Sequence, residues 1–76
     1  IIDAAGEITL DADGSAINIK DGGLFLGILQ NISSDFVVRS VVNDKDLVFN
    51  GTDNNSTITA LTLDMSAAGN ARFARF

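Results

Sequence analysis

The sequence predicts an all-β chain that is elongated and repetitive, and three observations carry that prediction. Ile, Leu, Val and Thr dominate a chain without proline, tryptophan or tyrosine, and β-branched residues favour strands. Short apolar/polar alternations recur between clusters of Asp, Asn and Gly, the residues that tight turns use. The punctuation is also periodic: Gly6, Gly14 and Gly22 stand eight residues apart, and Asp3 and Asp11 keep the same interval. That period is too short for a βαβ unit. It suits one rung of a stacked β-structure, about four or five strand residues plus a turn.

Taken in order, Ile1 to Gly6 (IIDAAG) resembles the later LDADG and reads as the end of a preceding rung. Glu7–Asp11 is the first expected strand, with Ile8 and Leu10 on one face and Thr9 on the other. Asp11-Ala12-Asp13-Gly14 turns the chain, with glycine where a positive φ costs little. Ala16–Lys20 repeats the strand with Ile17 and Ile19 inward, and Lys20-Asp21-Gly22-Gly23 closes that rung. Residues 1–23 therefore read as short-period rungs, and residues 24–76 as a looser β repeat.

Leu24–Gln30 changes character. Alternation puts Leu24, Leu26 and Ile28 on one face, Phe25 and Leu29 on the other, with Gly27 between them. A strand apolar on both faces, in a chain too small for two thick layers, predicts contact with another subunit. Gly27 is expected to allow a neighbouring backbone to come close. Asn31 to Ser34 is a turn. Asp35–Ser40 and Asp46–Gly51 then repeat at a spacing of 11, with Val41 and Val42 extending the first and Asn43-Asp44-Lys45 turning it. Gly51 to Ser56, the most polar stretch, is a solvent-facing turn. Thr57–Asp64 is a strand with Leu61 and Leu63 inward. Ile58 breaks its alternation, which predicts a bulge or a change of partner near Thr59-Ala60. Met65 to Asn70 loops back, although the acidic start and glycine end of 64–69 also admit a single helical turn. Ala71–Phe76 is the last expected strand.

Composition bounds what such a chain can be. Seventy-six residues bury only about 60 to 65% of their unfolded surface, so a lone core is marginal without staples. There is no cysteine and no histidine, hence no disulfide and no thiolate or imidazole metal site. Association with copies of itself or with flanking chain is the remaining stabiliser. Lys and Arg number 5 against 10 Asp and Glu, a net charge of −5. That balance excludes the basic patch a nucleic-acid surface needs. No apolar run reaches the roughly 18 residues of a membrane span, and no signal-peptide pattern is present. The chain begins at Ile1 and stops at Phe76 inside a strand-like pattern, as an internal piece of a longer protein would.

Candidate sites are few and each has a plainer reading. Asp11-Ala12-Asp13-Gly14 suggests a calcium loop. Counted from Asp11, however, the sixth position is Ala16 and the twelfth is Gly22, where an EF-hand needs Gly and a bidentate Glu. Asp11, Asp13 and Asp21 could still form a repeat-type calcium turn, but hydrogen bonds to their own turns explain their recurrence. Nothing in the sequence builds a deep pocket around the Asp11/Asp13 carboxylate pair, and no nucleophile-elbow context exists. The stretch 20–27, KDGGLFLG, lacks the order of a phosphate loop. Asn31, Asn50, Asn54 and Asn55 each open a glycosylation triplet of a kind common by chance in such turns. Arg39 alternates with Phe36 and Val38, so its stem can cover the strand while its head reaches solvent; Arg72 and Arg75 flank Phe73 and, in a homo-oligomer, could pair across chains with Asp64 or Asp46. No catalytic, cofactor or metal residue is assigned.

IDAAGEITLDADGSAINIKDGG, the pair SDFVVRS and KDLVFNG, and TALTLDMSAAGNARF, taken in that order, resemble the repetitive regions of bacteriophage tail fibres, particularly those of marine tailed phages. Leu10 to Gly14, Ile19 to Gly23, Phe36 to Ser40, Leu47 to Gly51 and Ala60 to Phe73 occupy the corresponding places, so the likeness covers nearly the whole chain. It implies a homotrimeric, β-rich, elongated shaft (β-helix or β-prism-like, with intertwined chains) in the virion. Other virion proteins would join at its ends, and missing domains would meet a host receptor. It carries no receptor site to residues here. The rung length agrees with this picture: eight to eleven residues are short for a single-chain solenoid coil of about 20 or more. Three chains, each giving one side, would close the section and bury Ile8, Leu10, Ile17, Ile19 and the phenylalanines near a shared axis. The competing expectations are a module binding host-surface glycan through the 43–45 or 51–56 turn, and a calcium-stabilised bacterial adhesin or surface repeat.

Overall fold

Three tight turns organise the chain. Gly22-Gly23 (φ 54° and 90°), Ser33-Ser34 (50° and 73°) and Asn54-Asn55 (52° and 64°) all place both central residues in the left-handed region. That is the geometry of two-residue hairpin turns, whose twist matches that of the strands they join. In the computed structural model, which describes residues 1–75, these turns build two three-stranded antiparallel sheets. Sheet A comprises β1 (Ala16–Asp21), β2 (Leu24–Ile32) and β3 (Asp35–Ser40); sheet B comprises β4 (Leu47–Asp53), β5 (Ser56–Asp64) and β6 (Asn70–Phe73). Each is a meander with its central strand second in sequence.

Both central strands carry a bulge. In sheet A the pairs Ile19↔Gly27 and Lys20↔Phe25 leave Leu26 unmatched. In sheet B, Phe49↔Leu61 and Asn50↔Thr59 leave Ala60 unmatched. The bulge expected near Thr59-Ala60 is thus present, and it returns Ile58 to the face of Leu61 and Leu63. The bulge at Leu26 was not legible. It swaps the phase of β2, so Leu29 pairs with Ile17 and Val38 while Ile28 pairs with Asn18 and Arg39. The alternation read from sequence had grouped Ile28 with Leu24 and Leu26. Gly27 does meet a neighbouring backbone: a Cβ built there would lie 3.1 Å from the Arg39 carbonyl oxygen.

Boundaries shift where hairpins run tighter than composition suggests. Asn31 and Ile32 belong to β2, and β4 continues to Asp53, because two residues suffice to turn. Ser40 ends β3, so Val41 and Val42 lie beyond it, and the chain turns at Asn43-Asp44. Met65–Ala67 forms a short 3-10 turn, closed by Ala68 at φ 58° and a Gly69 N–H bond to the Asp64 carbonyl (2.8 Å). The expected strand at Ala71–Phe76 is Asn70–Phe73; Phe76 lies outside the described residues.

The larger correction concerns residues 1–23. Only Ala16–Asp21 of the two expected rung strands is formed, and Glu7–Asp11 has no ladder partner. Alternation gives a segment a strand's faces, but only a paired neighbour makes it a strand. Within each sheet consecutive strands pair antiparallel through local connections, so the eight-residue punctuation marks turns and not a coil. Among the described residues no helix is long and apolar enough to cross a membrane.

Candidate functional site

Cross-strand partners share a face, so the registers sort the side chains. In sheet B, Leu47↔Leu63↔Ala71 and Phe49↔Leu61↔Phe73 form two adjoining rows, and Gly51↔Ile58 adds a third. The opposite face carries Val48↔Thr62↔Arg72, Asn50↔Thr59 and Thr52↔Thr57. One side is therefore continuously apolar and the other mostly hydroxyl and amide, where the Thr59 hydroxyl donates to Asn50 Oδ1 (3.0 Å). A sheet of this kind is half of a packed pair. Its apolar side nevertheless stands open: Phe49 is 50% exposed and Phe73 55%.

Sheet A has the same problem on its first face, with Ile17↔Leu29↔Val38 at its centre and Ile19 beside Gly27. Its second face mixes Asn18, Lys20, Gln30 and Arg39 with Phe25 and Ile28; the Lys20 ammonium lies 5.4 Å from the centre of the Phe25 ring, within cation–π range. A groove of about 530 Å³ runs between the sheets, walled by Ile19, Leu24, Leu26 and Val38 on one side and Val42 and Leu47 on the other. A second groove of about 640 Å³ separates residues 8–12 from sheet A at Ile17, Leu29 and Phe36. No side chain is buried among the described residues, so Ile17, Ile19, Leu61 and Leu63 are inward only in direction.

Of the polar groups that sequence reasoning placed across subunits, Arg72, Asp64 and Asp46 find partners within the chain. Asp64 pairs opposite Asn70, which sets Arg72 two residues along β6 on the same face, and the two side chains form an ion pair. The Asp64 carboxyl is held below its ordinary value, first by the Ser66 hydroxyl that donates to it (2.7 Å) and then by Arg72, against some desolvation. Asp46 Oδ1 accepts the Met65 N–H (3.2 Å), clipping the entry of β4 to the exit of β5. Arg72 and both expected acidic partners are thus engaged locally. Among the described residues no group of three or more acidic side chains comes together to hold a metal ion, and Asp11, Asp13 and Asp21 are not gathered.

The candidate site is therefore a surface, the open apolar faces of the two sheets with the grooves beside them. Sequence reasoning missed its extent because the Leu26 bulge hides the phase of β2. Comparison with protein-family models, curated proteins and solved structures gives no match to this chain.

Proposed function

We propose that this chain is a shaft segment of a phage tail fibre or related virion appendage. It acts as a structural spacer without a catalytic role, in a homotrimer that positions host-recognition domains on an extracellular particle. In this reading the two sheets form sides of a β-prism-like section closed by three chains, with the apolar faces turned to the axis. The sequence likeness to tail fibres supports the biological setting. One observation carries the association.

That observation is surface area. The chain exposes 6476 Å², whereas a folded monomer of 8.0 kDa exposes about 4,500 Å². The excess is about 2,000 Å². A stable interface buries about 800 Å² per partner, so the excess supplies two such contacts per chain, as a cyclic trimer requires. The radius of gyration of 15.2 Å, against about 11 Å for a compact chain of this length, agrees. Turns rich in Asp, on chains of net charge −5 each, would keep neighbouring shafts apart.

Sedimentation equilibrium of the folded protein, with and without a metal chelator, tests the reading. The expected mass is three times that of the chain under both conditions. A folded monomer would overturn it, and an assembly that dissociates only with chelator would favour the calcium-stabilised surface repeat.

A further inference from the structure

Residues 1–14 belong to neither sheet. None of their described backbone groups bonds to another backbone group, and no ion pair among the described residues holds them. Their path is nevertheless set at its root. The chain turns at Asp13-Gly14, Ser15 takes a φ of 68°, and the Ser15 carbonyl accepts the Asn31 N–H (2.9 Å). The pivot is thereby fixed to sheet A. Ile8 and Leu10 form one wall of the adjoining groove, and Ile17, Leu29 and Phe36 stand on the other. Those three share a face, since Leu29 pairs with Ile17 and Asn31, two residues on, pairs with Phe36. Both walls lie open: Ile8 is 53% exposed, Leu10 60% and Phe36 78%. Alternation turns Glu7 and Thr9 away from the groove, so the segment has one apolar and one polar side. Its reach is sufficient. Leu10 precedes Ser15 by five residues, about 16 Å when extended, against about 10 Å for the two strand spacings from β1 to β3.

We propose that residues 7–12 are a strap that closes onto sheet A of their own chain and shields its apolar face until a partner takes its place. Closure brings Ile8 and Leu10 against Ile17, Leu29 and Phe36 and expels the water between two apolar walls. No backbone hydrogen bond has to break for the strap to move. It therefore opens at the cost of that apolar contact alone. The face it covers is one that the shaft reading turns to the axis, so closure and association compete for the same side chains. The shielding rests on that homo-oligomeric reading; closure within one chain does not.

The chain contains no tryptophan, so Phe36→Trp, at an exposed position, is a single reporter of cover. Its quenching by acrylamide is followed on dilution, with sedimentation alongside, in the presence and absence of Ile8→Ser with Leu10→Ser. A strap closed about two thirds of the time lowers the quenching of single chains about threefold relative to the serine variant. Deletion of residues 1–12 then tightens association about threefold, because the competent state is no longer masked. Quenching that the serines leave unchanged overturns the strap, as does protection that disappears when the chains separate. Association that the deletion weakens or leaves unchanged overturns the shielding. The two readings fail separately. A trimer at every dilution whose quenching ignores the serines sinks the strap and leaves the shaft reading standing. A chain that is monomeric at every concentration sinks the shaft reading, and quenching alone then decides the strap. Should the tryptophan variant fail to fold, nuclear Overhauser contacts between the Leu10 methyls and the Phe36 ring are measured on the parent chain, isotope-filtered in a mixed sample. Contacts within one chain are expected; contacts only between chains, or none, overturn the proposal.

Discussion

Among the three hairpin turns, Ser33-Ser34 has the chemistry least suited to its geometry. Both residues sit at positive φ, 50° and 73°, in a region that costs an L-residue about 1–2 kcal/mol and that Asn and Gly enter readily. The turn is held by the Ser34 N–H bond to Asn31 Oδ1 (2.8 Å), which uses backbone and Asn31 only and survives substitution of the serines. Replacing Ser33→Asn and Ser34→Gly relieves the strain at both positions, while the glycine returns about 0.5–1 kcal/mol in unfolded-state entropy. The net expectation is a gain of about 1 kcal/mol, or a Tm rise of about 4–8 °C for a domain of this size. The assay is thermal unfolding followed by far-ultraviolet circular dichroism at a fixed protein concentration, since any self-association would make Tm concentration-dependent. A companion variant, Asn54→Ser with Asn55→Ser, should lose a comparable amount. An unchanged or lowered Tm for the first variant would refute the claim that turn strain, and not sequence habit, distinguishes these hairpins.

Other perturbations address the faces and the acid cluster. Phe49→Ser with Phe73→Ser should weaken self-association at least tenfold, since burying each ring is worth about 1.5–3 kcal/mol; sedimentation that matches the parent chain would count against the apolar face of sheet B as an interface. Gly27→Ala should destabilise by about 1 kcal/mol, because the added methyl meets backbone at 3.1 Å and cannot displace it cheaply; a denaturation midpoint at or above the parent's would contradict this. The Ser66 hydroxyl and then Arg72 hold the Asp64 carboxyl below its ordinary value, so its contribution is present above its unfolded pKa and is lost as pH falls through the folded one. Ser66→Ala should raise the Asp64 pKa more than Arg72→Ala does, as the hydroxyl is the larger cause; carboxyl NMR titrations showing the reverse order would reject that ranking.

Strand content was readable because side-chain chemistry decides it locally: IKD before Gly22-Gly23 and ITALTLD after Asn55 leave little choice. The Ala60 bulge was readable too, since Ile58 is out of phase with Leu61 and a displaced apolar residue is a visible fault. The bulge at Leu26 leaves no such trace. Every residue from Leu24 to Leu29 except Gly27 is apolar, so a slip of one position exchanges one apolar side chain for another. Glu7–Asp11 failed for the opposite reason. Its alternation is clear, but strand formation depends on a partner that local sequence does not specify. For the surface, sequence named the apolar residues and anticipated that they need covering; their arrangement in rows is a property of register.

The two sheets also share a device that their sequences conceal. The carbonyl of the unmatched residue in each central strand accepts the N–H of the residue one past the third strand: Leu26 from Val41, and Ala60 from Ala74, both at 2.9 Å. Both meanders open with a two-residue left-handed turn into a nine-residue central strand. The structural repeat is thus the three-stranded meander, far longer than the eight-residue spacing of Gly6, Gly14 and Gly22. Its conserved parts are backbone conformations that Gly-Gly and Asn-Asn both satisfy, and carbonyls that any residue supplies. A bulge bends and twists its strand, so the same device in both sheets gives both a similar curvature. What recurs along this chain is therefore a backbone pattern of turn, bulge and clip, with apolar faces that neither sheet covers by itself.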